Sequence, residues 1–148
     1  MNNTLQHNQK YKLLEHESLV VNDTTLYRII AIRSFGDITK GDKGGFIEKE
    51  SNLSHNDNAW VYDNAWVYDN ARVFGNARVY GDAQVSGDAR VFGNARVSGN
   101  AWVFDNARVF GNAWVYDNAW VYDNARVFGN ARVYGDAQVS GDARVFGN

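Results

Sequence analysis

From Asp57 onward, alanine falls at every sixth position from Ala59 to Ala143, fifteen times without a miss. Valine follows two residues later each time, from Val61 to Val145. The general form is A-x-V-x-[GD]-[ND]. An internal repeat of this period decides the fold before any other signal, and a hexapeptide period points to a β-solenoid. Each copy reads as a short strand, A-x-V-x, followed by a corner, [GD]-[ND]. Alternate side chains of a strand face opposite ways, so Ala and Val share one face and the two x positions share the other. The x positions hold Trp, Arg, Gln, Tyr, Phe and Ser. Unpaired arginines cannot be buried in a narrow apolar core, so Ala and Val point inward. Gly, Asn and Asp at the corners are the residues that best tolerate left-handed backbone.

The x positions also set the size of a coil. The hexapeptide ARVFGN recurs at Ala71, Ala89, Ala107, Ala125 and Ala143, as every third hexapeptide of the array. Three hexapeptides therefore make one coil, and one side is uniform: Arg72/Phe74, Arg90/Phe92, Arg108/Phe110, Arg126/Phe128 and Arg144/Phe146. A larger duplication agrees, since Asn58 to Asn94 is identical to Asn112 to Asn148, an offset of three whole coils. The second side carries Trp60, Arg78, Arg96, Trp114 and Arg132 beside Tyr62, Tyr80, Ser98, Tyr116 and Tyr134. The third carries Trp66, Gln84, Trp102, Trp120 and Gln138 beside Tyr68, Ser86, Phe104, Tyr122 and Ser140.

The run VFGNARVYGDAQVSGDARVFGN resembles the hexapeptide-repeat family of left-handed parallel β-helices, over roughly residues 57–148. The resemblance implies a left-handed triangular prism with an aliphatic and a small residue pointing inward. One position departs from that family: the residue after the aliphatic one is often small there and is mostly Tyr or Phe here. The stretch KGDKGGFIEKESNLS, leading into the repeats, also looks like uncharacterised proteins of phages and prophages. The fold class expected is all-β, a left-handed parallel β-helix, a three-sided solenoid with one hexapeptide to each side of a coil. Residues 1–56 form a small N-terminal β cap and lead-in coil, and residues 57–148 form about five coils. Within the cap, QKYKLLEHE and TLYRIIAIRSF read as a hairpin with VNDTT as its turn. The glycines of GDITKGDKGGF read as punctuation, with GDKGG as the turn into the first coil.

Five stacked Phe flanked by Arg predict an exposed apolar strip, and aromatic and Arg enrichment is the composition of protein interfaces. Arg72, Phe74, Arg90, Phe92, Arg108, Phe110, Arg126, Phe128, Arg144 and Phe146 are therefore the first candidate for partner binding. The alternative face is Trp66, Trp102, Trp120, Tyr68, Phe104 and Tyr122. A homodimer through the Phe ladder or an open C-terminal coil is the simplest association. A host protein is the other expected partner.

Chemistry is sparse. The histidines are His7, His16 and His55, none of them inside the fifteen repeats. The resemblance family's acyltransferases need a catalytic His and its carbonic anhydrases need three, so an enzyme is not expected and no cofactor is implied. His7 and His16 read as solvated surface residues, and His55 as a transition residue at the head of the array. Corner residues such as Asp69, Asp88, Asp105 and Asp123 stack in a way that invites Ca²⁺, but corner geometry explains them better. A net charge of −2 gives no bulk attraction for nucleic acid or membrane. Cysteine is absent, the start lacks a signal-peptide run, and no stretch is long enough to span a bilayer. The expected location is the cytoplasm, that of the host if the chain is phage-encoded. The expected function is non-catalytic binding. Its candidate forms are a phage inhibitor of a host defence protein of the anti-CRISPR type, a carbohydrate-binding or virion tip module, a nucleic-acid binder, and a degenerate acyltransferase.

Overall fold

The computed structural model describes residues 9–147. The repeats form a parallel β-solenoid of three sheets, in which every strand pairs with its counterpart in the next coil, three hexapeptides along. Arg108 lies in register with Arg126, Trp102 with Trp120, and Trp114 with Arg132. The three sides are therefore the three columns read from the sequence. Ala59 to Ala125 and Val61 to Val127 are buried and form one continuous core. Core burial lapses only in the last coil, where Ala137 and Ala143 are exposed and Val139 and Val145 half-buried.

Each corner is closed by a backbone hydrogen bond across two residues, as from Ala95 N–H to the Phe92 carbonyl (3.3 Å). The first corner residue sits in the left-handed region, at φ near 60° for Asp105, Asp117 and Asp123. Asp tolerates that conformation less easily than Gly. Here its carboxylate is used: Asp69, Asp117 and Asp123 each accept the backbone N–H of the next coil's corner, at 3.1, 3.1 and 2.9 Å. The second corner residue builds side-chain ladders. The Asn76, Asn94, Asn112 and Asn130 amides run Nδ2–H to Oδ1 at 3.2 Å a step. In the other two columns such runs end on a carboxylate, Asn118 on Asp136 and Asn124 on Asp142. An aspartate accepts and cannot donate onward, so it stands only where a ladder stops.

The cap begins with an antiparallel hairpin, β1 (Tyr11–Val21) and β2 (Thr24–Ala31). Its turn is tighter than VNDTT, consisting of Asn22 and Asp23, both at positive φ. Only the first residue of GDKGG lies in a turn, Gly41 at φ 97°. Lys43–Ile47 is a strand, β3, antiparallel to β2 and parallel to Trp66–Val67. The reason is packing: a Cβ on Gly44 would lie 2.4 Å from the Val61 carbonyl, and one on Gly45 2.5 Å from that of Ala65. The glycine pair lets the cap backbone close on the first coil. A 3-10 turn at Glu50–Asn52 and a bridge from Leu53 to Val73 complete the lead-in coil. With the five coils of the repeats, the solenoid has about six turns. Buried Asn52 stitches the lead-in to them, accepting from Glu48 and Lys49 N–H and donating to the Asp69 and Ala71 carbonyls. No helix among the described residues is long and apolar enough to cross a membrane.

Candidate functional site

On the first side, the four steps from Phe74 to Phe146 have ring centroids 4.9, 4.9, 5.1 and 5.1 Å apart and nearly parallel. Stacking hides the ring faces, so Phe74, Phe92, Phe110 and Phe128 are half-buried, and only Phe146 stands open at 66% exposure. The strip is thus less apolar to solvent than the sequence suggested, because each ring spends its faces on its neighbours. The arginines behave differently. Among the described residues, Arg72, Arg90, Arg108, Arg126 and Arg144 have no carboxylate within 4.0 Å. Arg72, Arg90, Arg108 and Arg126 form one wall of a trench of about 570 Å³, with Asn70, Asp88, Asn106 and Asn124 as the other.

The second side engages its arginines within the chain. Arg96 and Arg132 lie over the two faces of Trp114, 5.0 and 4.8 Å from the ring centroid. Arg78 pairs with Asp37 of the cap at 2.9 Å. Trp60, expected outward, is buried: Phe35 and Tyr11 of the cap meet it edge-on at 5.3 and 6.1 Å. Column membership alone could not show that the cap folds over the first rung.

The third side stacks Trp102 on Trp120 at 4.9 Å and Phe104 on Tyr122 at 5.0 Å. Above them the ladder is interrupted at Gln84 and Ser86. A cavity of about 330 Å³ opens there between Trp66 and Tyr68 on one wall and Trp102 and Phe104 on the other, with the hairpin tip at Val21 and Asn22 as its rim. The signal was in the sequence, a serine between Tyr68 and Phe104 in the column, but only stacked rungs make it a gap.

Beneath the cap lies a polar cluster that the sequence did not disclose. Lys10 is buried, donating to the carbonyls of Asp57 (2.8 Å) and Ala59 (2.7 Å), with the Asp57 carboxylate 3.6 Å away. Burial pulls its ammonium down to about 8, against the opposing pull of Asp57. Tyr11 donates to the Leu53 carbonyl at 2.6 Å, and burial, then Glu50, push its phenol up. His55 stacks on Tyr11 at 4.1 Å, accepts the Lys10 N–H at Nδ1 (3.1 Å) and meets Glu50 through Nε2 (2.9 Å). With both nitrogens and one ring face engaged, His55 acts as a joint between cap and solenoid. The Ser54 hydroxyl is hydrogen-bonded to Asp57, away from His55. His16 is exposed on β1, and His7 lies outside the described residues.

The YdcK β-solenoid repeat model matches residues 65–81, 71–87, 83–99, 89–103, 103–117, 119–135, 125–139 and 137–148, together more than half of the chain. No curated protein matches. The stacked coils, three parallel sheets and repeat matches lead to one conclusion: the chain belongs to the YdcK β-solenoid repeat family.

Proposed function

We propose that this chain is a non-catalytic binding scaffold, a rigid prism whose Arg/Phe side holds an acidic protein surface. The observation that carries the reading is the ladder of arginines without carboxylate partners along a trench. A like-charged column held one coil apart costs repulsion, which an acidic partner relieves and a stability role does not explain. Neighbouring strands of any sheet lie ~4.8 Å apart, so a carboxylate column on another β-sheet would match the arginines step for step. The sharper form is a phage- or prophage-encoded inhibitor seated on a host protein, for example a defence inhibitor of the anti-CRISPR type. That form rests on the resemblance of KGDKGGFIEKESNLS to phage and prophage proteins. A second copy of the chain is the other candidate, and packing one Arg column face to face on its own copy would oppose like charges.

A nucleic acid gains little from this side, because the inner Phe rings of the stack have no face to offer a base. The test uses wild-type chain and Arg90→Glu/Arg108→Glu as parallel baits in host extract, with light scattering of each. Proteins retained by the wild type and lost by the variant support the reading. A wild-type dimer split by the variant assigns the side to self-association. An unchanged set of partners and an unchanged mass would sink it.

A further inference from the structure

The interrupted ladder on the third side has the dimensions of one missing rung. Trp102 and Phe104 meet at 6.4 Å and 76°, Trp120 and Tyr122 at 6.4 Å and 75°, and Trp66 and Tyr68 at 6.4 Å and 67°. The aromatic pair above the gap thus keeps nearly the geometry of the pairs below it. Across the gap the walls stand two coils apart, twice the 4.9 Å spacing of Trp102 on Trp120. One planar group fits there with a ring on either side. Ser86 occupies little of that space, and among the described residues the Gln84 side chain makes no hydrogen bond, whereas its counterpart Gln138 accepts from Tyr122. Trp102 is one of the few large apolar side chains exposed beyond a third of its surface (37%).

Charge decides what kind of planar group belongs there. The outward repeat positions of this side hold no Lys or Arg. The corners of the three coils around the gap carry five carboxylates, Asp63, Asp69, Asp82, Asp88 and Asp105. Aromatic faces inside an acidic frame favour a cation. The second side shows what a cation does in this lattice: the guanidinium groups of Arg96 and Arg132 fill the rungs on either side of Trp114, at 5.0 and 4.8 Å. A guanidinium is planar, weakly hydrated and able to donate from its edge while its face stacks. We infer that the gap at Gln84 and Ser86 is a binding site for an arginine side chain of a partner protein. The guanidinium stacks within the aromatic walls, and Gln84 Oε1 and Ser86 Oγ accept from its edge. This site is independent of the Arg/Phe side, so its failure would leave the reading of that side untouched.

The test is a ¹H–¹⁵N NMR titration of the full chain, reading the indole N–H signals of Trp66 and Trp102 against Trp114 as a control. The probes are N-acetyl-arginine methylamide, its neutral isostere N-acetyl-citrulline methylamide, and free arginine. Saturable shifts at Trp66 and Trp102 are expected with the blocked arginine, with affinity about tenfold weaker for the citrulline form. Ser86→Phe supplies the missing rung from within, as Phe92 does between Phe74 and Phe110, and should abolish the response. Asp82→Asn, which leaves the aromatic walls intact, should weaken it and serves if the first variant misfolds. Equal responses to the arginine and citrulline probes, or a full response in Ser86→Phe or in Asp82→Asn, would overturn the proposal. Tighter binding of free arginine than of the blocked form would overturn the assignment to a partner chain.

Discussion

Raising the pH should make this protein more stable over a window where most proteins gain nothing. Lys10 is buried with its ammonium pulled from 10.5 to about 8. In the unfolded chain it keeps its proton up to about pH 10, while in the folded chain it gives it up near pH 8. Between those values the unfolded state binds more protons, so the unfolding free energy rises with pH. Below pH 8 both states hold the proton and the slope vanishes. Each pH unit in the window is worth at most about 1.36 kcal/mol, so the gain from about pH 8 to pH 10 is about 2 kcal/mol. Tyr11 reverses the trend above about pH 10, because its folded phenol is pushed up and only the unfolded chain ionises there. Urea unfolding at constant ionic strength, followed by tryptophan fluorescence from pH 7 to 10, reads the slope. Lys10→Met removes the titrating group. It also strips a donor from the Asp57 and Ala59 carbonyls, so its slope is the readout rather than its absolute stability. A flat or falling wild-type profile through pH 9, or the same rise in Lys10→Met, would refute the reasoning.

Three further outcomes follow from the packing. Val97→Ala, at the fully buried centre of the prism, should cost about 2–3 kcal/mol, and Val139→Ala in the half-buried last coil less than half of that, both read by denaturant midpoint. Asn94→Asp can still accept from Asn76 but cannot donate to Asn112. It should destabilise by about 1–2 kcal/mol at neutral pH, with the loss recovered as acid restores a donor; an unchanged midpoint would contradict the ladder. Gly45→Ala drives a Cβ to within 2.5 Å of the Ala65 carbonyl and should loosen the cap by about 2 kcal/mol, visible as faster amide exchange in β2 and β3.

The array was legible because every hexapeptide repeats one inward pair. Ala95 and Val97 are buried for the same reason as Ala119 and Val121, and the return of Arg and Phe at every third hexapeptide fixes which rungs meet. What the sequence hid arises where the period breaks. Gly44 and Gly45 read as a turn because glycine usually marks one, and their actual role, admitting a strand against Val61 and Ala65, depends on a contact across the cap seam. Trp60 belongs to an outward column yet is covered by Phe35 from outside the repeats. The exposure of the Phe ladder was overestimated because a one-dimensional reading assigns a direction to each ring but not the shielding by its neighbours. Lys10 gave no signal, since an isolated lysine before a strand is ordinarily solvated.

The asparagine columns have one more consequence, for how such a chain can grow. Every amide in a run points its N–H₂ toward the later coil, so the dipoles align and each run has a head and a tail. A carboxylate at the tail, as at Asp136 and Asp142, faces the positive ends of all the amides before it. Lengthening by a whole coil that carries asparagine therefore extends a run without disturbing its polarity. A coil carrying aspartate closes the run and obliges the next to begin afresh, as Asn106 does after Asp88. Copying Asn58 to Asn94 three coils onward carried Asp82 and Asp88 to Asp136 and Asp142, so the second block brought its own run ends with it.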